Sequence, residues 1–138
     1  MIEAFSVGFY NALIANAALQ TKLGGASTDY KIYNTLAPQT SSCPYIVFGV
    51  LTDMPDGTFT HSGAIEDMTF YVNIFSETSP ENILEIVDLV AAAMDNASLT
   101  ISGYTAMKCM REYVGSVIYD SDTETYQISM RYRVQGSL

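Results

Sequence analysis

The sequence predicts an α+β fold: a mainly antiparallel sheet with two helices packed on one face, in the order α-β-β-β-α-β-β. Three observations carry this prediction. Apolar residues recur at helical spacing in two separate segments. Strict alternation of apolar and polar residues marks Met68 to Ile74 and Tyr126 to Val134 as strands buried on one side. Turn-forming residues punctuate the chain between them. With 138 residues, no internal repeat and no linker, the chain makes one domain over 1–138.

Ile2, Phe5, Phe9, Leu13 and Leu19 lie at helical spacing, and Gly24-Gly25 supplies a helix-ending residue without a β-carbon, so the first helix is expected over 2–22. A short strand follows at 30–33. The polar stretch 34–43 is irregular, because Pro38 and the following Pro44 cannot donate ladder hydrogen bonds. Residues 45–51 form a near-continuous apolar strand. Met54-Pro55-Asp56-Gly57 combines a preset φ, an aspartate able to bond its own backbone and a glycine, so the chain is expected to reverse there in a hairpin. The return arm passes the lone His61 and becomes regular over 65–75, with Met68, Phe70, Val72 and Ile74 on one face.

Ser79-Pro80 supplies a hydroxyl cap and a proline at the first helical position, so the second helix starts there and runs to about Asp95. Ile83, Ile86, Val87, Val90 and Met94 form its buried stripe. Glu81, Glu85, Asp88 and Asp95 lie elsewhere, with no basic residue to pair along the helix. Two closing strands are expected at 104–114 and 125–134, joined across Asp120-Ser121-Asp122. In the last strand Tyr126, Ile128, Met130, Tyr132 and Val134 point one way, and Gln127, Ser129, Arg131 and Arg133 the other.

Composition narrows the function. The chain is 49% hydrophobic and only 15% charged, with a mean hydropathy of +0.16, so it carries more apolar surface than a monomer of this size readily hides. Burial against sister chains is the expected answer. The net charge of −9 opposes tight binding to nucleic acid phosphates or an anionic membrane. That charge is unevenly spread. Residues 1–103 hold two cations and eleven acids, whereas residues 104–138 hold four of each. Lys108, Arg111, Arg131 and Arg133 are therefore candidates for a cationic strip on two adjacent strands, facing the acids Glu81, Glu85 and Asp88 of another copy.

The first twenty residues are apolar, but Glu3 stands where a signal peptide carries positive charge and the first cation is Lys22, so no secretory leader is expected. No apolar run reaches the roughly 18 residues of a membrane span. Cys43 and Cys109 lie far apart in unrelated contexts and are read as reduced and cytosolic, and the Asn96-Ala97-Ser98 sequon as accidental. No catalytic motif stands out. A nucleophilic triad needs a base beside the nucleophile, and His61 sits in a loop. The acidic turn from Asp120 to Glu124 lacks the central glycine and distal glutamate of a calcium loop and reads as a strand turn. Gly24-Gly25 follows a helix instead of opening one, so no phosphate loop is expected. The expectation is a chain that is not an enzyme and holds no cofactor or metal.

The order of elements and particular residues resemble the tail terminator family of long-tailed bacteriophages, also called tail completion or tail-to-head joining proteins. The resemblance spans nearly the whole chain. It rests on the first helix closing at Leu23-Gly24-Gly25, on Lys31-Ile32-Tyr33, on the connection through Ala37-Pro38-Gln39, and above all on Cys43-Pro44-Tyr45-Ile46-Val47-Phe48-Gly49. These are structural residues, and none is a catalytic signature. The resemblance implies a hexameric ring that caps the head-proximal end of the tail tube, stops tube polymerisation and presents a surface to the head connector. DNA would pass through its channel without specific binding, and the protein would be assembled in the host bacterial cytoplasm and reside in the virion tail or neck. Two long polar segments are the expected docking loops, the connection 34–43 with Pro38 and Gln39, and the hairpin tip 52–64 with Met54, Pro55, Asp56, Gly57, Phe59 and His61. Two other readings stay open. One is another neck component such as a head completion or stopper protein; the other is a small-ligand domain using Asp67, Tyr71 and Asn73 on one strand face.

Overall fold

A computed structural model describes residues 2–25, 30–38, 42–56, 65–106 and 108–137. The elements run α1 (Ile2–Ile14), α2 (Ala17–Leu23), β1 (Ile32–Asn34), β2 (Tyr45–Asp56), β3 (Ile65–Ser76), α3 (Pro80–Met94), β4 (Thr105–Ala106), β5 (Met110–Val114), β6 (Ile118–Asp120) and β7 (Thr125–Ser137). The fold is α+β, with a mainly antiparallel sheet, as the alternation predicts. Its spine is β2-β3-β7, in which β3 pairs along its length with both neighbours, Phe70 lying between Val50 and Tyr132. Strand β1 runs parallel to β2 and pairs only with Ile46, Val47 and Phe48. On the far side β4, β5 and β6 succeed one another along the opposite edge of β7.

The helices cover one face. Phe48, Met68, Phe70, Val72, Ile74, Ile128, Met130, Tyr132 and Val134 share a core with Phe5, Phe9 and Leu13 of α1, Leu19 and Leu23 of α2 and the full stripe of α3. Phe9 stacks on Phe70 with ring centroids 4.4 Å apart. Every residue expected in the α3 stripe is buried. Ser79 caps the helix, accepting a hydrogen bond from the Asn82 N–H at 3.1 Å.

Four boundaries differ from expectation. The single helix expected over 2–22 is two helices, bent by 80° at Ala15-Asn16. Asn16 adopts an extended conformation and its side chain accepts the Leu19 N–H at 2.9 Å, so it begins a second helix rather than continuing the first. The Gln20 side chain donates to the Ile14 carbonyl, satisfying an acceptor that the break frees. Gly24 ends α2 at φ +73°, in the left-handed region where glycine carries no penalty. The first strand is 32–34 instead of 30–33. The turn expected at 54–57 is not there, because β2 continues to Asp56 in register with Ile65, and the reversal falls in 57–64, outside the described residues. The strand expected over 104–114 is broken into β4 and β5, and a third piece, β6, precedes the final turn. That turn is the expected one: the Asp122 N–H donates to Asp120 Oδ1 at 3.0 Å.

Candidate assembly surface

The uncovered face of the sheet carries the half-buried side chains of β3 and β7 that point away from the helices. Its polar groups pair with one another. Arg133 grips Asp67 in a fork, its Nε donating to Oδ1 at 2.9 Å and to Oδ2 at 3.0 Å while Nη2 donates to Oδ2. The Gln135 amide adds a bond at 3.3 Å. These hydrogen bonds, Arg133 first, hold the Asp67 carboxyl below the usual carboxylate range, and Asp67 in turn raises Arg133. Ser129 donates to Asn73 at 2.6 Å. Tyr71 lies across Gly49, where a β-carbon would stand 2.5 Å from its hydroxyl oxygen. Tyr71 and Asn73 line an open cavity of about 390 Å³ with Tyr45, Val47 and Phe75, and Asp67, held by Arg133, is not among its lining residues.

The basic residues are divided between the faces. Arg133 belongs to the fork, and Arg131 lies 4.8 Å from the centre of the Tyr113 ring. Arg111 stands on the helix side, 3.4 Å from Asp95, which also accepts the Tyr132 hydroxyl at 2.9 Å. Burial and that bond push the Tyr132 phenol upward. Lys108, between β4 and β5, is exposed. On α3, Glu81, Glu85 and Asp88 are exposed, and Glu85 pairs with Lys22 of α2.

Of the docking-loop residues, Pro38 is exposed beside Leu36, which is 81% exposed, and Met54 is 67% exposed on β2. Pro55 and Asp56 pair through the backbone with Glu66 and Ile65. Gln39, Gly57, Phe59 and His61 lie outside the described residues. An open apolar groove of about 700 Å³ runs along α1 between Val7, Tyr10, Ile32, Leu36 and Phe48. Among the described residues no three His, Cys, Asp or Glu side chains gather as metal ligands. Burial raises the Cys109 thiol to about 12 and the Cys43 thiol to about 11, with Asp95 and Glu77 adding to the effect, so neither is poised as a thiolate.

The pair that sequence reasoning missed is Asp53 and Glu66. Asp53 is half-buried on β2, and Glu66 is only 6% exposed on β3. Their carboxyls stand close enough to act on each other, and Asp53 Oδ1 and Glu66 Oε2 are buried with no partner among the described residues. Burial first, then Asp53, raises the Glu66 carboxyl, against a smaller lowering by the positive amino terminus of the chain. Placing the turn at 54–57 hid this pair, because it removed Asp53 from the ladder that brings it to Glu66.

A family model described as Tail completion protein gp17 matches residues 8–135. A chain from the solved virion of a native gene transfer agent particle aligns at TM-score 0.76 and 17% identity, covering 96% of this chain and 93% of that one. A second solved chain aligns at TM-score 0.67 and 11% identity, covering 99% of this chain and 95% of that one. These likenesses show a shared fold. A search of curated proteins finds no match.

Proposed function

The chain belongs to the tail completion protein gp17 family, whose members are structural proteins of the phage tail, and from that premise we propose that it is a tail terminator. It forms a ring, six subunits in our reading, on the head-proximal end of the tail tube, stops tube polymerisation and offers the surface on which the head connector docks. The family match over residues 8–135 carries this reading. The chemistry of the surface supports it. Asp67 with Arg133 and Gln135, and Asn73 with Ser129, pair with one another on the open sheet face, while large apolar side chains stay exposed at the sheet edges and along α1, as Ile118, Met54 and Val7 do. Such a surface suits burial against protein.

The connection 34–43 and the hairpin arm 52–64 are the docking segments in this account, with Leu36 and Met54 as their exposed apolar members. A chain of net charge −9 lets DNA pass without adhering, since few cations are present to replace condensed counterions. The test is the molar mass of the purified protein across a concentration series, by light scattering, alone and with purified tail tubes. A mass near six subunits, free or at the tube end, is expected. A chain that associates with capsids and not with tubes identifies a head completion or stopper protein instead.

A further inference from the structure

The stretch 31–38 is lightly anchored and bent under strain. Only Ile32 within it is buried. Strand β1 is fastened to β2 through its backbone, the Ile46 N–H donating to the Lys31 carbonyl at 3.0 Å and the Thr35 N–H to the Phe48 carbonyl at 2.7 Å. Both ends of the strand carry non-glycine residues in the left-handed region, Lys31 at φ +62° and Thr35 at φ +70°. At Thr35 the Leu36 N–H donates to the Asn34 carbonyl, two residues back, at 2.8 Å. That bond and that φ make a γ-turn of the rare, strained hand, centred on a β-branched residue that favours extended backbone. Beyond the turn Leu36 is 81% exposed.

The register shows where the chain goes if this turn relaxes. Ile32 pairs with Ile46 and Asn34 with Phe48, so an extended Thr35 meets Gly49 and Leu36 meets Val50. Ile46, Phe48 and Val50 all pack into the core on the helix side. Alternation therefore carries Leu36 to that side, in line with Ile32 and Asn34. The open apolar groove lies there, with Ile32, Asn34 and Leu36 at its rim and Val7, Tyr10 and Phe48 along it. Among the described residues no other strand pairs with β2 beyond Phe48 on the β1 side. The Val50 N–H points the same way as that of Ile46, and Pro38, which has no N–H to offer, faces away from β2 in the extended form.

We propose that residues 35–38 are a strap poised to close, with Leu36 either displayed to a docking partner, as in this structure, or seated in the chain's own α1 groove. Closing exchanges a strained turn for further rungs of β1 on β2 and takes a leucine out of water. Strap and groove belong to one chain, so closing hides the apolar groove and the docking residue together in a free subunit. A partner that binds Leu36 holds the strap raised. The docking role of Leu36 rests on the reading above, whereas the closing motion does not.

The chain has no tryptophan, so Leu36→Trp reports the strap's position in the whole free protein. The indole is expected to emit as a buried ring and to be quenched by acrylamide about threefold less efficiently than in the Thr35→Gly background, where glycine removes both the cost of the raised form and the preference for the extended one. Thr35→Val keeps both and is expected to leave the quenching unchanged. Val7→Glu spoils the groove wall and is expected to expose the indole. Amide exchange checks the motion without the probe: the Val50 N–H is expected to exchange about tenfold faster in Thr35→Gly than in the wild type, while that of Ile46 is unchanged. Melting curves show that the variants fold. An indole equally exposed with and without Thr35→Gly, one that stays buried in Val7→Glu, or a Val50 amide that exchanges alike in both chains overturns the strap. Leu36→Ser that joins tails to heads at the wild-type rate overturns the docking reading instead and leaves the strap standing.

Discussion

Glu66 lies on the helix side of β3, almost wholly out of water, with one carboxyl oxygen lacking a donor among the described residues. Its proton is held more tightly in the folded chain than in the unfolded one, through burial and the nearby Asp53 carboxyl. The stability that this proton contributes is complete below the ordinary carboxylate range and is lost as pH rises through the raised value. Glu66→Gln keeps the shape and removes the charge, so it should raise neutral-pH stability of the dilute free chain by about 1 kcal/mol and flatten the decline at higher pH. Urea melts at pH 5 and pH 8 measure this; a variant less stable than the wild type at pH 8 contradicts it. Asp67 has the opposite sign. Held low by Arg133, it stabilises above the unfolded carboxylate value and loses that contribution as pH falls through its depressed one. Arg133→Ala should lower stability modestly at pH 7, much of the attraction being screened by solvent at this exposed fork, and the cost should vanish in acid. An equal cost at pH 3 and pH 7 counts against the fork.

At the scale of elements, the break between α1 and α2 hangs on one side chain. Asn16→Ala removes the acceptor for the Leu19 N–H and should destabilise the fold by about 1 kcal/mol, whereas Asn16→Asp should restore most of it. Thermal melts decide, and an Ala variant as stable as the wild type places the cause of the bend elsewhere. The stripe of α3, its Ser-Pro opening and the alternation in β3 and β7 were legible in the sequence because each is written in local periodicity. The α1–α2 break was not, because Asn16 sits inside a pattern that continues at Leu19 and only its extended backbone shows that it caps. Pairing hid the rest. β2 runs through Pro55 because its neighbour β3 holds it in register, and the chain leaves β7 and returns between β4 and β5. The candidate site was only partly legible: charge counting singled out Lys108 and Arg133, whereas Asp53 and Glu66 required the true register of the hairpin.

At the scale of the molecule, a mean hydropathy of +0.16 with 15% charged residues describes a chain whose outside is meant to meet protein. The exposed apolar residues lie at the two sheet edges and on the mouth of the α1 groove. Shortening the hairpin within 57–64 should leave the sheet pairing and melting temperature nearly unchanged while lowering the yield of tails joined to heads. A variant that joins tails at the wild-type rate removes the arm from the docking surface. The central claim is termination of the tube, and the most direct measurement is tail length by electron microscopy in infections lacking this chain. The account predicts overlong, headless tails, restored to uniform length when the chain is supplied; tails of normal length joined to heads without it would contradict the account.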